Sequence, residues 1–300
     1  MKKTVFSLSL ALCLTLSACG SPAAPAAAPS ESDTIRIVAT TYPVYLFTTA
    51  VTEGVEGVEV TQLVNQQTAC LHDYTLTVND MKALESADVI VMNGAGLEDF
   101  MADALAASDA AVIDCSAGVE LLPAMGHEGH DHDVDYDPHI WMKEENASLM
   151  LENIGKGLGQ LDPDQEETYY ANAQSANDAL GYDPDQLSAL AGKPLITFHD
   201  GFQYFVQATG LDLLKAIEEE EGAETSAAEI KEIVGLIGAH HIPAIFTERN
   251  GSDATAQAIA RETGVAVYQL DMIMSGSGTG IQPYVDAMDA NIQTLVEALG

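Results

Sequence analysis

Residues 78–115 read VNDMKALESADVIVMNGAGLEDFMADALAASDAAVIDC. Within them, DVIVMNG (88–94) and AVIDC (111–115) are short apolar runs with β-branched residues, as is typical of buried strands. Each run follows a segment of helical character, VNDMKALESA (78–87) and LEDFMADALAA (97–107) respectively. Strands that alternate with helices predict a parallel sheet with helices on both faces.

The same alternation extends over most of the chain. Upstream, TIRIVAT (34–40) and VEVTQLV (58–64) are predicted strands. Downstream, strands are predicted at PLITF (194–198), PAIFTE (243–248) and VAVYQLD (265–271), and helices at 201–208, 226–241, 254–264 and 283–299. The segment LDLLKAIE (211–218) mixes apolar and acidic residues and is assigned to neither class.

Two further helices are predicted between these groups of strands. ENASLMLENIGKGLGQL (145–161) closes the first group, and DPDQEETYYANAQSANDAL (162–180) starts with an Asp cap and a proline. The sequence therefore predicts an α/β fold with two lobes, each a mostly parallel sheet flanked by helices, joined by a long helix. The predicted boundaries are 33–161 for the N-terminal lobe, 162–191 for the connecting helix region and 192–300 for the C-terminal lobe.

The charge of the chain limits its partners. The 300 residues include 46 acidic and 11 basic side chains, for a formal net charge of −35. A surface of this charge would repel a phosphate backbone and an anionic membrane face. We therefore expect no nucleic-acid partner.

The N-terminus has the features of an export signal. Two lysines precede an apolar run that is too short to span a membrane and ends in small residues. LSAC (16–19) resembles the lipobox of bacterial lipoproteins, which predicts removal of residues 1–18 and lipidation of Cys19, with an ordinary signal peptide as the alternative. Residues 19–32 then form a flexible stalk. We expect an extracytoplasmic, monomeric bacterial protein that is anchored to the cell membrane by its lipid.

Two of the four cysteines, Cys70 and Cys115, fall in the predicted folded part. Disulfides persist in an extracytoplasmic compartment, so a Cys70–Cys115 bridge is one expectation. Two buried free thiols are the alternative, because separation along the chain does not fix geometry.

Several residues with metal-binding side chains fall where ligands of parallel sheets are expected, beyond the carboxyl ends of strands. His72 and His199 follow predicted strands, Glu248 and Asp271 end them, and His139 lies just before IWM. Any one of these could be a capping or hydrogen-bonded residue. Because they come from both lobes, together they predict a site in the cleft between the sheets.

The donor atoms of this group indicate the metal. Three neutral imidazoles and one carboxylate suit Zn²⁺, which binds nitrogen and oxygen at about 2.0 to 2.2 Å in a tetrahedron. Mn²⁺ prefers more oxygen donors and is the less favoured ion.

Two motifs in these regions resemble those of a known family, the zinc and manganese solute-binding lipoproteins that deliver metal to ABC importers. DPHIWM (137–142) is similar to its Asp-Pro-His-Ile-Trp motif, and FHDGFQYF (198–205) to its Phe-His-Asp-x-Phe-x-Tyr-Phe motif. TTYPVY (40–45), ADVIVMNGAGLEDF (87–100) and the lipobox add weaker support. The resemblance covers essentially the whole mature chain. It also implies a rigid helix between the lobes and modest closure on metal binding.

The resemblance implies four metal ligands, two from each lobe: His72, His139, His199 and Asp271. One departure concerns the first of these. Where the family has a Gly-x-x-Pro-His-x-Tyr-like segment, this chain reads TACLHDYTLT (68–77), without the proline. A thiolate from Cys70 could add to or replace a ligand there, but a disulfide to Cys115 would remove it.

Other polar residues near the predicted ligands have two interpretations each. Glu248 and Asp200 could accept hydrogen bonds from ligand imidazoles and so fix their tautomers. Glu248 could instead be a fourth ligand, and Asp200 could cap the helix that starts near residue 201. His240 and His241 end a predicted helix, where its dipole accounts for them without a metal.

The stretch HEGHDH (127–132) contains His127, His130 and His132 among Gly and acidic residues. Its composition predicts a solvated loop without a core. The functional alternative is an accessory loop that captures metal weakly, since a His-rich loop occupies the corresponding place in related zinc receptors.

The function that follows is an extracytoplasmic receptor that captures Zn²⁺ and delivers it to an ABC permease, without chemistry. A manganese or iron receptor of the same family is one alternative. A zinc-dependent hydrolase is another, since three histidines with an open position suit a metal-bound hydroxide. A third is an adhesin or scaffold in which zinc is only structural.

Overall fold

A computed structural model of the chain describes residues 34–65, 74–125, 136–217 and 226–300. The predicted signal peptide, Cys19 and the stalk lie outside the described residues. No helix in these four ranges has both the length and the apolar character needed to cross a bilayer.

The described residues of the first lobe form four strands and four helices. The strands are β1 (Ile35–Ala39), β2 (Val58–Gln62), β3 (Val89–Met92) and β4 (Ala111–Asp114). The helices are α1 (Tyr42–Val51), α2 (Val78–Ser86), α3 (Ala102–Ala107) and α4 (Glu144–Leu161), with 3-10 turns at Asp99–Met101 and Ile140–Met142. The strands follow the β-branched runs of the sequence, and a capping box between Thr77 and Asp80 fixes the start of α2.

The second lobe repeats this alternation. Its strands are β5 (Pro194–Phe198), β6 (Asp212–Ala216), β7 (Ala244–Glu248) and β8 (Ala266–Leu270). Its helices are α7 (Gln203–Thr209), α8 (Ala227–His240), α9 (Ala254–Thr263) and α10 (Gln282–Leu299). A capping box between Ser226 and Glu229 fixes the start of α8.

Both sheets are parallel and have the same strand order. The first runs β2-β1-β3-β4 and the second β6-β5-β7-β8. In each sheet, the second strand lies on one side of the first strand, and the third and fourth strands lie on its other side. The strand order therefore reverses between the two central strands, and the carboxyl ends of these strands form a topological switch point. The predicted two-lobe α/β fold is confirmed, and its switch points mark where ligands are expected.

The region between the lobes consists of several short helices. A 3-10 turn at Pro163–Gln165 leads into α5 (Glu166–Asp178), and α6 (Pro184–Leu190) follows. Helix α5 packs antiparallel against the 18-residue α4. The contact is close: a Cβ at Gly155 would lie 3.1 Å from Ala173 Cβ, and one at Gly159 would lie 3.0 Å from Glu166 Cγ. These two glycines let the helices approach closely. Helix α4 ends where the predicted crossing helix begins, and α5 (Glu166–Asp178) forms most of that predicted helix.

Three elements are missing from the sequence prediction: strand β6, helix α1 and the short helix α6. Strand β6 lies in LDLLKAIE, where only partial burial at the edge of the sheet leaves no clear apolar run. Helix α1 is buried at eight of its ten positions. A helix that is apolar on nearly all sides has no amphipathic period to detect.

One continuous core contains residues of both lobes, and Trp141 is fully buried within it. The indole Nε1 of Trp141 donates to the carbonyl of Met272 at 2.9 Å. The hydroxyl of Tyr284, from α10, donates to the Trp141 carbonyl at 2.6 Å. The ring of Tyr284 also makes an edge contact with Phe47 of α1. The first-lobe segment around Trp141 is therefore bonded directly to the second lobe.

Of the two cysteines in the folded part, the structure describes Cys115. Cys115 is fully buried, and burial raises the pKa of its thiol well above the ordinary value. Cys70 lies outside the described residues, so the Cys70–Cys115 disulfide stays a prediction.

A buried carboxyl lies at the switch point of the first lobe. Glu98 is 1% exposed and accepts hydrogen bonds from Thr40 Oγ1 and from the backbone N–H groups of Asn93 and Gly94, at 2.6, 2.7 and 3.0 Å. Burial is the largest effect and raises its pKa to about 7, against the lowering effect of these hydrogen bonds. The charge of Asp114 raises the pKa further.

This raised pKa predicts a pH dependence of stability. Between the ordinary value of 4.5 and about 7, the folded chain holds a proton on Glu98 that the unfolded chain has released. This contribution to the free energy of unfolding is fully present below 4.5 and is lost as the pH rises through 7. The wild type should therefore lose stability relative to Glu98→Gln over this interval, by on the order of 3 kcal/mol.

Urea unfolding of both proteins at several pH values measures this difference. Glu152→Gln removes a carboxyl from an exposed position of α4 and serves as the control. Curves of stability against pH that run parallel for wild type and Glu98→Gln would contradict the prediction, whatever constant offset the amide introduces.

Candidate metal centre

His139 is held in a fixed orientation by a buried aspartate. Asp137 Oδ1 accepts from the backbone N–H of His139 at 2.9 Å and lies 2.8 Å from its Nδ1. Asp137 is 3% exposed and His139 is 6% exposed. The carboxylate favours the tautomer that carries its proton on Nδ1, so Nε2 is left with a lone pair for a ligand.

The second lobe holds Asp137 in place. Tyr204 Oη donates to the Asp137 carbonyl at 3.1 Å, and Gln203 Nε2 donates to Asp137 Oδ2 at 3.1 Å. From the first lobe, Asn93 Nδ2 donates to the carbonyl of Pro138 at 2.9 Å. The segment that carries His139 is therefore fixed from both lobes.

His199 follows β5 directly and faces His139 across the cleft. Their Nε2 atoms are 3.5 Å apart, and the two rings meet edge to face with centroids 5.2 Å apart. Two nitrogens bound to one tetrahedral zinc at 2.0 to 2.1 Å would be separated by about 3.3 Å. The pair can therefore accept one ion with little movement.

Two carboxylates lie next to His199. Glu248 Oε2, at the end of β7, is 3.6 Å from His199 Nδ1, and Asp200 Oδ1 is 3.7 Å from His199 Nε2. Helix α7 starts at Gln203, with Phe202 as its N-cap residue. Glu248 is 2% exposed, and its Oε1 has no hydrogen-bond partner among the described residues.

The clustered acids change the pKa values of this site. Burial is the largest effect on His139 and lowers its pKa, but the hydrogen bond to Asp137 and the charges of Asp137, Asp200 and Glu248 outweigh it and leave the pKa raised. Burial is the largest effect on Glu248 and raises its pKa; the charge of His139 lowers it and that of Asp271 raises it, which together give a pKa of about 8. The site is rich in carboxyl groups, whose ionised forms favour a bound cation.

Asp271 lies just beyond the end of β8, as predicted. Its Oδ1 accepts from the backbone N–H of Ile273 at 2.7 Å, and its Oδ2 accepts from Arg249 Nη1 at 2.6 Å. Its charge acts on the buried Glu248. Both carboxylate oxygens therefore have partners, one of them a cation.

The predicted site residues fall into three groups. The structure brings His139 and His199 together, with Glu248 and Asp200 beside His199. It places Asp271 at the same edge of the sheet, bonded to Arg249. His72 and the three histidines of the loop, His127, His130 and His132, lie outside the described residues. Within the described ranges, no three His, Cys, Asp or Glu side chains form a group that could hold a metal. The ligand set stays a prediction.

Asp137, Gly201 and Arg249 contact the site but were missed in the sequence. Asp137 could have been found, since an acid two residues before a histidine often bonds to its backbone. Gly201 packs against the imidazole of His139: a Cβ there would lie 2.7 Å from His139 Cγ and Nδ1 and 2.2 Å from Met272 Cε. No sequence pattern reveals that contact.

The close packing at Gly201 leads to a prediction. Gly201→Ala should displace the His139 ring and weaken metal binding by roughly tenfold or more, since 1.4 kcal/mol of misplacement is enough for this. Isothermal titration with Zn²⁺ measures the effect. Gly235→Ala is the matched control, because nothing lies within 4 Å of a Cβ at that helical position. Equal affinities for Gly201→Ala and wild type would contradict the contact.

Known proteins share this architecture. The manganese-binding lipoprotein MntA of Halalkalibacterium halodurans is 27% identical over 239 residues, which cover 76% of this chain and 77% of MntA. The zinc-binding lipoprotein AdcA of Streptococcus pneumoniae is 27% identical over 98% of this chain, but this chain spans only 60% of AdcA's length. The two names differ in their metal.

A solved structure extends the comparison. The laminin-binding protein Lmb of Streptococcus agalactiae, described as a bifunctional protein with adhesin and metal transporting activity, superposes with a TM-score of 0.73 at 26% identity. The match covers 89% of this chain and 100% of Lmb.

Residues 37–298 match the family described as ZnuA, zinc-uptake complex component A, periplasmic. These descriptions concern metal binding and uptake and not an enzymatic activity, which confirms the expectation that the chain is not an enzyme. The chain belongs to the ZnuA family of metal solute-binding proteins.

Proposed function

We propose that this chain is an extracytoplasmic, lipid-anchored receptor that binds Zn²⁺ between its lobes and delivers it to an ABC permease. The ligands would be His72, His139, His199 and Asp271. The observation that carries the proposal is the pair of imidazoles, one from each lobe, whose Nε2 atoms face each other at 3.5 Å.

The surroundings of the two imidazoles support a metal site. Asp137 contacts Nδ1 of His139 at 2.8 Å, and Glu248 lies 3.6 Å from Nδ1 of His199. Metal-bound histidines commonly have a carboxylate at their other ring nitrogen, which orients the ring and raises its basicity. This supports the orienting role of Glu248 and adds Asp137 to it. Asp200 Oδ1 lies instead 3.7 Å from Nε2 of His199, the nitrogen that faces the metal, so it would lie beside the ion rather than orient the ring.

The donor atoms favour zinc. Nitrogen ligands suit Zn²⁺, whereas Mn²⁺ prefers more oxygen. A manganese receptor is the second candidate because MntA is named for manganese and because two carboxylates, Glu248 and Asp200, lie within 4 Å of His199. Competition between the two ions separates these candidates.

Metal titration of the full chain tests the site. We expect a single high-affinity zinc ion, bound more tightly than manganese, and a loss of roughly a hundredfold or more in affinity for His139→Ala and His199→Ala, since even outer residues of metal sites cost 10–100-fold. His240→Ala removes an exposed histidine at the end of α8 and is the matched control.

A variant that lacks residues 127–132 should keep the high-affinity ion if that loop is accessory. Wild-type affinity in His139→Ala would overturn the site, and tighter binding of manganese than of zinc would overturn the choice of metal.

Stability measurements separate a receptor from an adhesin or scaffold with structural zinc. A receptor should remain folded in excess EDTA, because one continuous hydrophobic core joins its lobes. Zinc should then add about 4 kcal/mol to the free energy of unfolding when free metal is a thousandfold above Kd. Circular dichroism during chemical unfolding, with and without zinc, measures both. Unfolding on metal removal would favour the structural role.

A further inference from the structure

The backbone of Asp271 is fixed by a buried asparagine of α10. The N–H of Asp271 donates to Asn291 Oδ1 and Asn291 Nδ2 donates to the Asp271 carbonyl, both at 2.7 Å. Asn291 is 2% exposed. Because both main-chain groups of Asp271 are paired with one amide, this residue cannot shift along the sheet edge without breaking two buried hydrogen bonds.

The turn after Asp271 restricts its side chain. Ile273 has a φ of 61°, which is rare for a β-branched residue, and its N–H donates to Asp271 Oδ1 at 2.7 Å. The carbonyl of Met272 accepts from Trp141 Nε1. Such a conformation persists only where neighbouring contacts hold it. The carboxylate is therefore fixed at Oδ1 and has its remaining freedom at Oδ2.

The partner of Oδ2 is much more exposed to solvent than Asp271 is. Arg249 Nη1 donates to Oδ2 at 2.6 Å, while the Arg249 side chain is 67% exposed and that of Asp271 is 16% exposed. The guanidinium keeps its charge at all relevant pH values. Since an exposed ion pair is weak and the arginine borders solvent, a competing cation can displace it at low cost.

We infer that Arg249 is an internal counter-ion that competes with the bound metal for Asp271 Oδ2, and so lowers the affinity for the metal and speeds its release. The inference rests on the proposed function, with Asp271 as a ligand. A divalent ion at this oxygen repels the guanidinium, and only the guanidinium has solvent to move into. Arg249 therefore sets how tightly the cargo is held.

Arg249→Gln tests the competition, since glutamine removes the charge but keeps a polar side chain. We expect zinc binding to become roughly threefold to tenfold tighter, with a slower dissociation rate on transfer to a chelator. Arg261→Gln removes the same charge from an exposed position of α9 in the same lobe. Its affinity should change less than twofold, which separates competition at Oδ2 from a change in net charge.

A double-mutant cycle shows whether Arg249 acts through Asp271. In the Asp271→Asn background, Arg249→Gln should no longer tighten zinc binding, because the contested oxygen has lost its charge. A second measurement uses no metal: in excess EDTA, Arg249→Gln should lower the midpoint of thermal unfolding relative to wild type, since it removes the ion pair. Opposite signs with and without zinc are what competition requires.

The other outcomes contradict the inference in distinguishable ways. Weaker zinc binding by Arg249→Gln would mean that the arginine positions the carboxylate for the metal. Unchanged binding, or equal tightening in the Asp271→Asn background, would mean that Oδ2 is not contested. Absence of saturable zinc binding by the wild type would overturn the proposed function as well, whereas the preceding outcomes leave that function intact.

Discussion

The hydrogen bond from the indole of Trp141 to the carbonyl of Met272 joins the two lobes at the point on which the site depends. Both groups are buried, so the bond cannot be exchanged for one to water without exposing the core. His139 lies two residues before Trp141, and their rings are in contact with centroids 5.3 Å apart. Asp271 lies one residue before Met272. One interaction therefore sets the separation of a first-lobe imidazole and a second-lobe carboxylate.

Three further hydrogen bonds near this one are donated by the second lobe to the first. Tyr284, Tyr204 and Gln203 all belong to the second lobe, and all donate to backbone or carboxylate oxygens of the first-lobe segment 137–141. The segment is thus held by side chains of the second lobe, although it belongs to the first lobe by its position in the sequence. Rigid placement of this kind reduces the reorganisation that metal binding would require.

The sequence predicts the fold well where burial leaves a periodic pattern. Strands such as β3 and β7 are buried along their length and appear as apolar β-branched runs. Helix α1 was missed because it is buried on nearly every side, and strand β6 was missed because it is only half-buried at the edge of its sheet. Their patterns carry no period, and only the packing of the whole chain determines them.

The site divides in a similar way. His139 and His199 could be predicted because each stands in a local motif, and their facing orientation agrees with that expectation. The contact of Gly201 with the His139 ring and the pairing of Arg249 with Asp271 join residues 62 and 22 positions apart, respectively. Such contacts exist only in three dimensions. The shared strand order of the two sheets has one more consequence. Strand β5 is followed directly by His199, whereas its counterpart β1 is followed by Thr40, whose hydroxyl donates to the buried Glu98. The lobes are equivalent in topology but differ in chemistry. The second lobe carries His199 directly at the end of a central strand, whereas the first lobe carries His139 in the long connection between β4 and α4. A distortion of the contacts between segment 137–141 and the second lobe would therefore move His139 and leave His199 in place.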